Sequence, residues 1–446
     1  MVIKKSLIWF RKNLRVFDNL VLRESIANSD TILPFYVLDN KIYADTIYGF
    51  KRQSDFRLNF LYQSLENLKH NLELMNLSLN IFSGDSFEII SFLVNKYDIT
   101  DIYYEKDIAY EERRLEKKLK TSFLNVKFHK YNSNHIFKYD LMKSKVKRLQ
   151  DTFTRFRRTY EQDFLEADKE CININFEHST KLIKLKSEDI NLDLTFNLHT
   201  NLESLKSQTH VISDTRATFL YEGGEDIGLD RIKNYIWNQK SIKRYKRTRN
   251  GLMGRNFSSR FSAWLSLGCI SVNHIMHEIE KFENEELKND STYWLKFELL
   301  WREYFHLLYG KYKSKLFFLK GPHEREVEHN LDEEICQAWI SGKLGVPFID
   351  ANMISLKQTG YLSNRGRQNV VSYFVHDLKQ DWRFAASYLE SVLVDYDVYS
   401  NWLNCAYITG LVATEKAHVF DVNSQAEHYD SKGQFVKHWL ENSDLS

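Results

Sequence analysis

The sequence predicts two domains of different class joined by a long connector. Residues 1–132 read as an α/β domain with a parallel, Rossmann-like sheet, residues 133–212 as the connector, and residues 213–446 as an all-helical domain. Three observations carry this. Short apolar runs alternate with helix-period segments in the first part. A polar, Lys-rich stretch of weak periodicity follows. From Ser213 onward almost every segment has helical spacing. At 446 residues the chain is long enough for such an architecture and a large core.

In the first domain, SLIWF, TILPFYVLD, LSLNIFSG, ITDIYYEKD and NVKFHKYN read as strands. SDFRLNFLYQSLENLKHNLELM reads as a helix, with apolar residues at Phe56, Leu58, Phe60, Leu61, Leu65 and Leu68. Strand–helix alternation implies a parallel sheet covered on both faces. No GxGxxG follows the first strand, so the dinucleotide fingerprint is absent.

Hydrophobic residues are 43% and charged residues 27%, an ordinary globular balance. The net charge is only +2, so a nucleic-acid surface has to be a local patch. Aromatics at 14% suit both a large helical core and stacking on planar ligands. Cys171, Cys269, Cys336 and Cys405 show neither CxxC nor metal-ligand spacing, which points to a reducing compartment without disulfides or metal. The apolar run in MVIKKSLIWFRKNLR is too short for a signal peptide, and no run approaches a membrane span. The expectation is a cytoplasmic monomer.

In the connector, SKVKRLQDTFTRFRRTYEQDF is expected to be a basic, solvated helix. KLIKLKSEDINLDLTFNLHTNLESLKS carries no catalytic constellation and is expected to wrap over the first domain.

The helical domain holds the chemistry. GGE opens a helix with Leu229, Ile232, Tyr235 and Ile236 as its apolar face, and Tyr245 follows. Ser258, Ser259 and Ser262 flank Arg260 and Phe261 just before an apolar helical run. Hydroxyls and backbone N–H groups at a helix start make an anion site. DSTYWLKFELLWREYFHLLYGKYK is a helix N-capped by Asp290 or Ser291. Glu298, Trp301 and Arg302 share one of its faces. Asn364, Arg367 and Gln368, spaced i, i+3, i+4, share a face of the next polar helix, opposite Val370, Val371, Phe374 and Val375. Trp382 closes that helix or opens the following one. Asp395 and Asp397 follow the apolar YLESVLV, with Asn401 four residues later. Buried acids need partners, and Arg367 is the expected partner of Asp395.

The succession SSRFS, ELLWRE, SNRGRQ, DWR, DYD and SN closely resembles the photolyase/cryptochrome family, nearest its DASH branch. LIWFRKNLRVFDN is similar to that family's N-terminal signature. The resemblance implies non-covalent FAD in the helical domain rather than the α/β domain. Ser258, Ser259, Arg260, Phe261 and Ser262 would hold its pyrophosphate, and Tyr245 and Arg302 would contact it. Asn364 and Asn401 would sit by flavin N5, the Arg367–Asp395 pair beside the ring, and Asp397 at its pyrimidine edge.

For the substrate, the resemblance implies that Glu298 hydrogen-bonds a damaged base and Trp301 stacks on it. Gln368 and Tyr407 would face the lesion, at positions where this branch carries those residue types. Glu112, with Glu111 next, would contact an antenna such as 5,10-methenyltetrahydrofolate. The implied activity is that of a photolyase-type lyase: excited reduced FAD splits cyclobutane pyrimidine dimers, with single-stranded DNA preferred. Glu298 and Asn364 would stabilise the charged states. The alternative is a blue-light photoreceptor that keeps FAD with little repair activity.

The chain departs from the family in one respect. Members relay electrons to the flavin along three tryptophans. Trp382 matches the middle position. The flavin-proximal position falls on Cys405 and the surface position on His329. Photoreduction is therefore expected to be slow or to detour through Trp402 or Tyr399.

Overall fold

The computed structural model describes residues 3–137, 145–167, 171, 181–183, 214–327, 329–414 and 416–441. All five predicted strands form: β1 (Lys5–Phe10), β2 (Thr31–Asp39), β3 (Asn80–Gly84), β4 (Asp101–Glu105) and β5 (Lys127–Tyr131). They pair in parallel in the order β3-β2-β1-β4-β5. β1 and β4 are buried almost end to end, as parallel strands covered on both faces must be. Alternate side chains serve separate cores. Leu7, Trp9, Phe35 and Tyr104 pack with helices Ser86–Tyr97 and Tyr110–Ser122. Ile8, Phe10 and Ile32 pack with Leu22, Leu58, Phe60 and Leu65 in a core that runs on into the helical domain.

Part of the connector behaves as expected and part does not. A short strand, β6 (Lys181–Leu182), adds in parallel to β2 at Thr31 and Ile32, so the connector does return to the first domain. Most of the stretch from Lys181 to Ser207 lies outside the described residues. The helix Phe153–Leu165 is not merely a solvated basic surface. Phe153, Phe156, Tyr160 and Phe164 are buried, and Phe153 stacks on Trp301 at 3.6 Å. Their i, i+3, i+7, i+11 spacing makes an apolar stripe that the basic residues mask in a composition count.

The helical domain is arranged around the 23-residue helix Asp290–Tyr312. Its cap is Asn289, one residue before the predicted Asp290 and two before Ser291. The Asn289 side chain accepts from the backbone N–H of Ser291 (2.8 Å) and Thr292 (3.0 Å), and Thr292 completes a capping box. Trp382 opens the helix Trp382–Val392 rather than closing the previous one. The seam between domains is hydrogen-bonded. Arg15 Nη1 donates to the Gly268 carbonyl (2.9 Å), Arg57 Nη1 to the Glu390 carbonyl (2.6 Å), and Glu225 accepts from the Val16 and Phe17 amides.

Candidate active site

A cavity of about 350 Å³ opens inside the helical domain, within the range of small-molecule sites. Five stretches of chain meet there. Helix Asp290–Tyr312 contributes Glu298, Trp301 and Arg302. Helix Asn364–Ser372 contributes Asn364, Arg365, Arg367 and Gln368. The turn Asp395–Asp397 and helix Val398–Thr409 add Asp395, Asp397, Ser400, Asn404 and Tyr407. Tyr245 with Arg249, and Ser259, Phe261 and Ser262, close the rest. Both polar faces read from residue spacing therefore point into one space.

The expected ion pair is present. Arg367 Nη2 lies 2.8 Å from each carboxylate oxygen of Asp395, and its Nε donates to the Leu362 carbonyl at 2.8 Å. The carboxylate side chain is almost fully buried. Burial alone would lower the Arg367 guanidinium, but Asp395, with help from the Tyr361 and Tyr221 phenols, raises it overall. Asp397 caps the helix Val398–Thr409, its Oδ2 accepting from the Ser400 amide (2.9 Å) and hydroxyl (2.8 Å). Such a cap fixes the carboxylate on the cavity wall and satisfies an orphan helix N–H.

At the mouth, Glu298 Oε1 pairs with Arg249 Nη1 at 2.6 Å. Burial pushes the Glu298 carboxyl above its usual range, and Arg249 opposes that push. Trp301 is braced by Phe153 on one face and meets Tyr407 edge-on at 5.5 Å. Arg302 Nη1 is held by the Asn134 carbonyl at 2.7 Å.

Three residues expected at the cofactor are not on the cavity wall. Arg260 has φ of 61°, which turns its side chain away from those of Ser259 and Phe261. Its guanidinium is buried 4.4 Å from the Tyr361 ring centroid. The helix it precedes, Ser262–Leu267, has no side-chain cap, so the three serines do not form a capping cluster. The Ser258 carbonyl accepts from Arg231 at 3.1 Å, while Ser259 and Ser262 reach the cavity. Asn401 lies about 100° around its helix from Ser400. Its amide donates to the Ala386 carbonyl at 2.9 Å, and Asn404 takes the cavity-facing place. Arg249, Arg365, Asn404 and Ser400 were missed from the sequence. For Arg249 the signal was its position one turn after Tyr245.

Ser259 and Ser262 hydroxyls, the Asn364 amide, the Arg367–Asp395 pair and Asp397 surround one apolar-walled space. The Nε of Arg365 on that wall is buried without a protein partner. This donor and acceptor set fits a flavin nucleotide.

A second cavity, of about 300 Å³, lies at the seam. Arg11, Lys12, Lys41, Arg52 and Arg57 line it together with Glu111, Glu112 and, from the helical domain, Ser266, Glu390 and Tyr396. Arg52 pairs with Glu111 (3.0 Å) and approaches Glu390 (3.6 Å). Burial and nearby Asp107 raise the Glu112 carboxyl. Between the two cavities, Lys12 pairs with Asp107 at 2.9 Å and Tyr399 donates to the same carboxylate.

Trp382 is fully buried and off the cavity wall. It meets Trp402 edge-on at 5.9 Å, and Trp402 Nε1 donates to Glu390 at 2.8 Å. Cys405 is buried, which pushes its thiol up to about 12. His329 is exposed.

Two family models match: DNA photolyase over residues 6–173 and the FAD binding domain of DNA photolyase over residues 294–444. Cryptochrome DASH of Gloeobacter violaceus is 34% identical over 443 residues, covering 99% of this chain and 86% of its own. The chloroplastic/mitochondrial cryptochrome DASH of Arabidopsis thaliana is 35% identical, covering 98% and 75%. The crystal structure of a Synechocystis cryptochrome superposes with a TM-score of 0.91 at 32% identity, covering 100% of this chain and 90% of that one. Among the described residues no helix is long and apolar enough to cross a membrane. Two-domain architecture, cavity and relatives agree: the chain belongs to the photolyase/cryptochrome family, in its DASH cryptochrome branch, and carries that family's FAD-binding domain.

Proposed function

We propose that this chain is a blue-light-dependent lyase that splits cyclobutane pyrimidine dimers in single-stranded DNA. One observation carries the reading. The groups suited to a flavin (Arg367, Asp395, Asp397, Asn364) and those suited to a splayed-out base (Glu298, Trp301, Gln368, Tyr407) line the same cavity. When bound and reduced, FAD supplies the photoexcited electron that opens the dimer and takes it back. The chain's own residues do the rest. The Arg367–Asp395 pair and Asp397 orient the cofactor. Trp301, held rigid by Phe153, offers a stacking face. Glu298 hydrogen-bonds the base edge. A base already unpaired enters without the cost of leaving a duplex, a few kcal/mol.

The second cavity is the place for an antenna with a carboxylate tail and a planar head, such as a folate. Five cations line it, with Glu112 and Glu111 as hydrogen-bonding acids.

The test is direct. The purified protein is expected to be yellow. Pre-reduced protein under blue light is expected to restore dimer-containing single strands, and Glu298→Ala to lose repair while keeping its colour. Binding of such strands with no restoration under light would overturn the lyase reading in favour of a photoreceptor.

A further inference from the structure

At the cavity mouth an ion pair occupies the carboxylate that the proposed reaction needs. Arg249 Nη1 lies 2.6 Å from Glu298 Oε1, and both side chains line the cavity. A carboxylate only accepts hydrogen bonds, whereas a protonated carboxyl can donate one to a base carbonyl. Arg365, from the start of helix Asn364–Ser372, lines the same mouth. It packs over Tyr429 at 5.0 Å, and its Nε is buried without a partner. Two guanidinium groups thus flank the opening beside one acid.

We propose that Arg249 is a positioning residue that releases Glu298 when a strand binds. A phosphodiester beside the inserted base takes the Arg249 guanidinium, and the freed Glu298 carboxylate takes one proton from solvent and donates it, as a hydrogen bond, to a base carbonyl. The proposal rests on the reading that this cavity receives a base from single-stranded DNA.

Guanidinium–phosphate and guanidinium–carboxylate pairs are of similar strength, so the exchange is close to balanced and the rest of the strand decides it. Four other groups complete the surroundings of Glu298. Burial pushes its carboxyl up, Arg249 and Arg365 pull it down, and the Trp294 indole on the same helix acts in the pulling sense. Tyr245, which opens the short facing helix Tyr245–Thr248, is a buried phenol held protonated. Losing Arg249 to phosphate leaves burial opposed only by Arg365 and Trp294. The exchange couples two checks, since a strand gains the base contact only if its phosphate reaches Arg249.

The experiment is calorimetric titration of an oligothymidylate carrying one cyclobutane thymine dimer, in buffers of different ionisation enthalpy. Wild-type protein is expected to take up protons on binding, and Glu298→Gln to take up none. Arg249→Gln is expected to take up fewer, because its Glu298 already holds the proton, and to lower the salt slope by about 0.7. Arg249→Lys, which keeps the charge, is expected to retain that slope. Replacing the phosphates that flank the dimer with methylphosphonates is expected to abolish the uptake in wild type, where folding is not in question. Wild-type affinity should fall as pH rises through the bound-state pKa of Glu298, by at most about tenfold per unit. Equal uptake in wild type and Glu298→Gln, or uptake that survives methylphosphonate, would overturn the exchange. If the strand fails to bind wild type at all, the proposed function falls and the exchange falls with it.

Discussion

The two cavities are nearly equal in size, about 350 and 300 Å³, yet they are built in opposite ways. The first is lined by one domain, and its polar groups come in local sets on single helices. Its central charge is neutralised by a pair in which one guanidinium nitrogen reaches both oxygens of an almost fully buried carboxylate. The second lies on a seam. Arg11, Arg52, Glu111 and Glu390 come from four distant places, and its pairs are longer and more exposed. A removed partner in the first leaves a charge stranded in low dielectric. In the second, solvent takes over much of what is lost. The first cavity is thus prebuilt and brittle, the second adjustable.

The largest expected effect breaks the first cavity outright. Asp395→Ala strands Arg367 and should cost about 3–5 kcal/mol, read as a lower midpoint in denaturant unfolding, together with loss of yellow colour. An unfolding midpoint close to wild type would show that the pair is not the brittle element. Next, Glu298→Ala removes the proposed base contact together with the Arg249 ion pair at the cavity mouth. Repair of single-stranded dimers should slow by about 1–3 kcal/mol of activation free energy, roughly fivefold to 150-fold, with retained flavin absorbance. Asp397→Ala loses both a helix cap and a cavity-facing carboxylate. About 1 kcal/mol of stability is expected to go, seen in thermal unfolding, and FAD should dissociate faster on dilution.

A smaller effect concerns the route of electrons from the surface. Trp402 contacts Trp382, whereas Cys405 is a buried neutral thiol. Photoreduction with an external thiol donor should be slow in wild type, slower in Trp402→Phe and faster in Cys405→Trp. A fast wild-type rate indifferent to both changes would remove this account. The smallest effect tests the seam. Arg52→Ala breaks a half-exposed pair with Glu111 and should change stability by less than about 1 kcal/mol while weakening binding of a reduced folate. A large loss of stability would mean that the seam is as brittle as the first cavity.

These differences also decided what could be read without coordinates. Glu298, Trp301 and Arg302, and likewise Asn364, Arg367 and Gln368, are related by helical periodicity, so their shared faces were legible. The pairing of Arg367 with Asp395 followed from the need to compensate a buried acid. Asn401 and Arg260 defeated the same logic for local reasons. A residue one position around a helix points about 100° away, and a left-handed φ reverses a side chain that spacing alone would place beside its neighbours. The basic helix Phe153–Leu165 was read as surface because charge counts hide a four-residue aromatic stripe.

By itself the sequence determined the two domain classes, the parallel sheet, the family and the polar faces of the central helices. All of these rest on short apolar runs, on the 3.6-residue helical period or on contiguous motifs. Tertiary structure alone decided that Arg249 clamps Glu298, that Phe153 braces Trp301, and that Arg52, Glu111 and Glu390 share a wall. Each of those contacts joins residues 49 to 338 positions apart. Backbone periodicity carries no information over such separations, because only the packing of whole elements brings the side chains together.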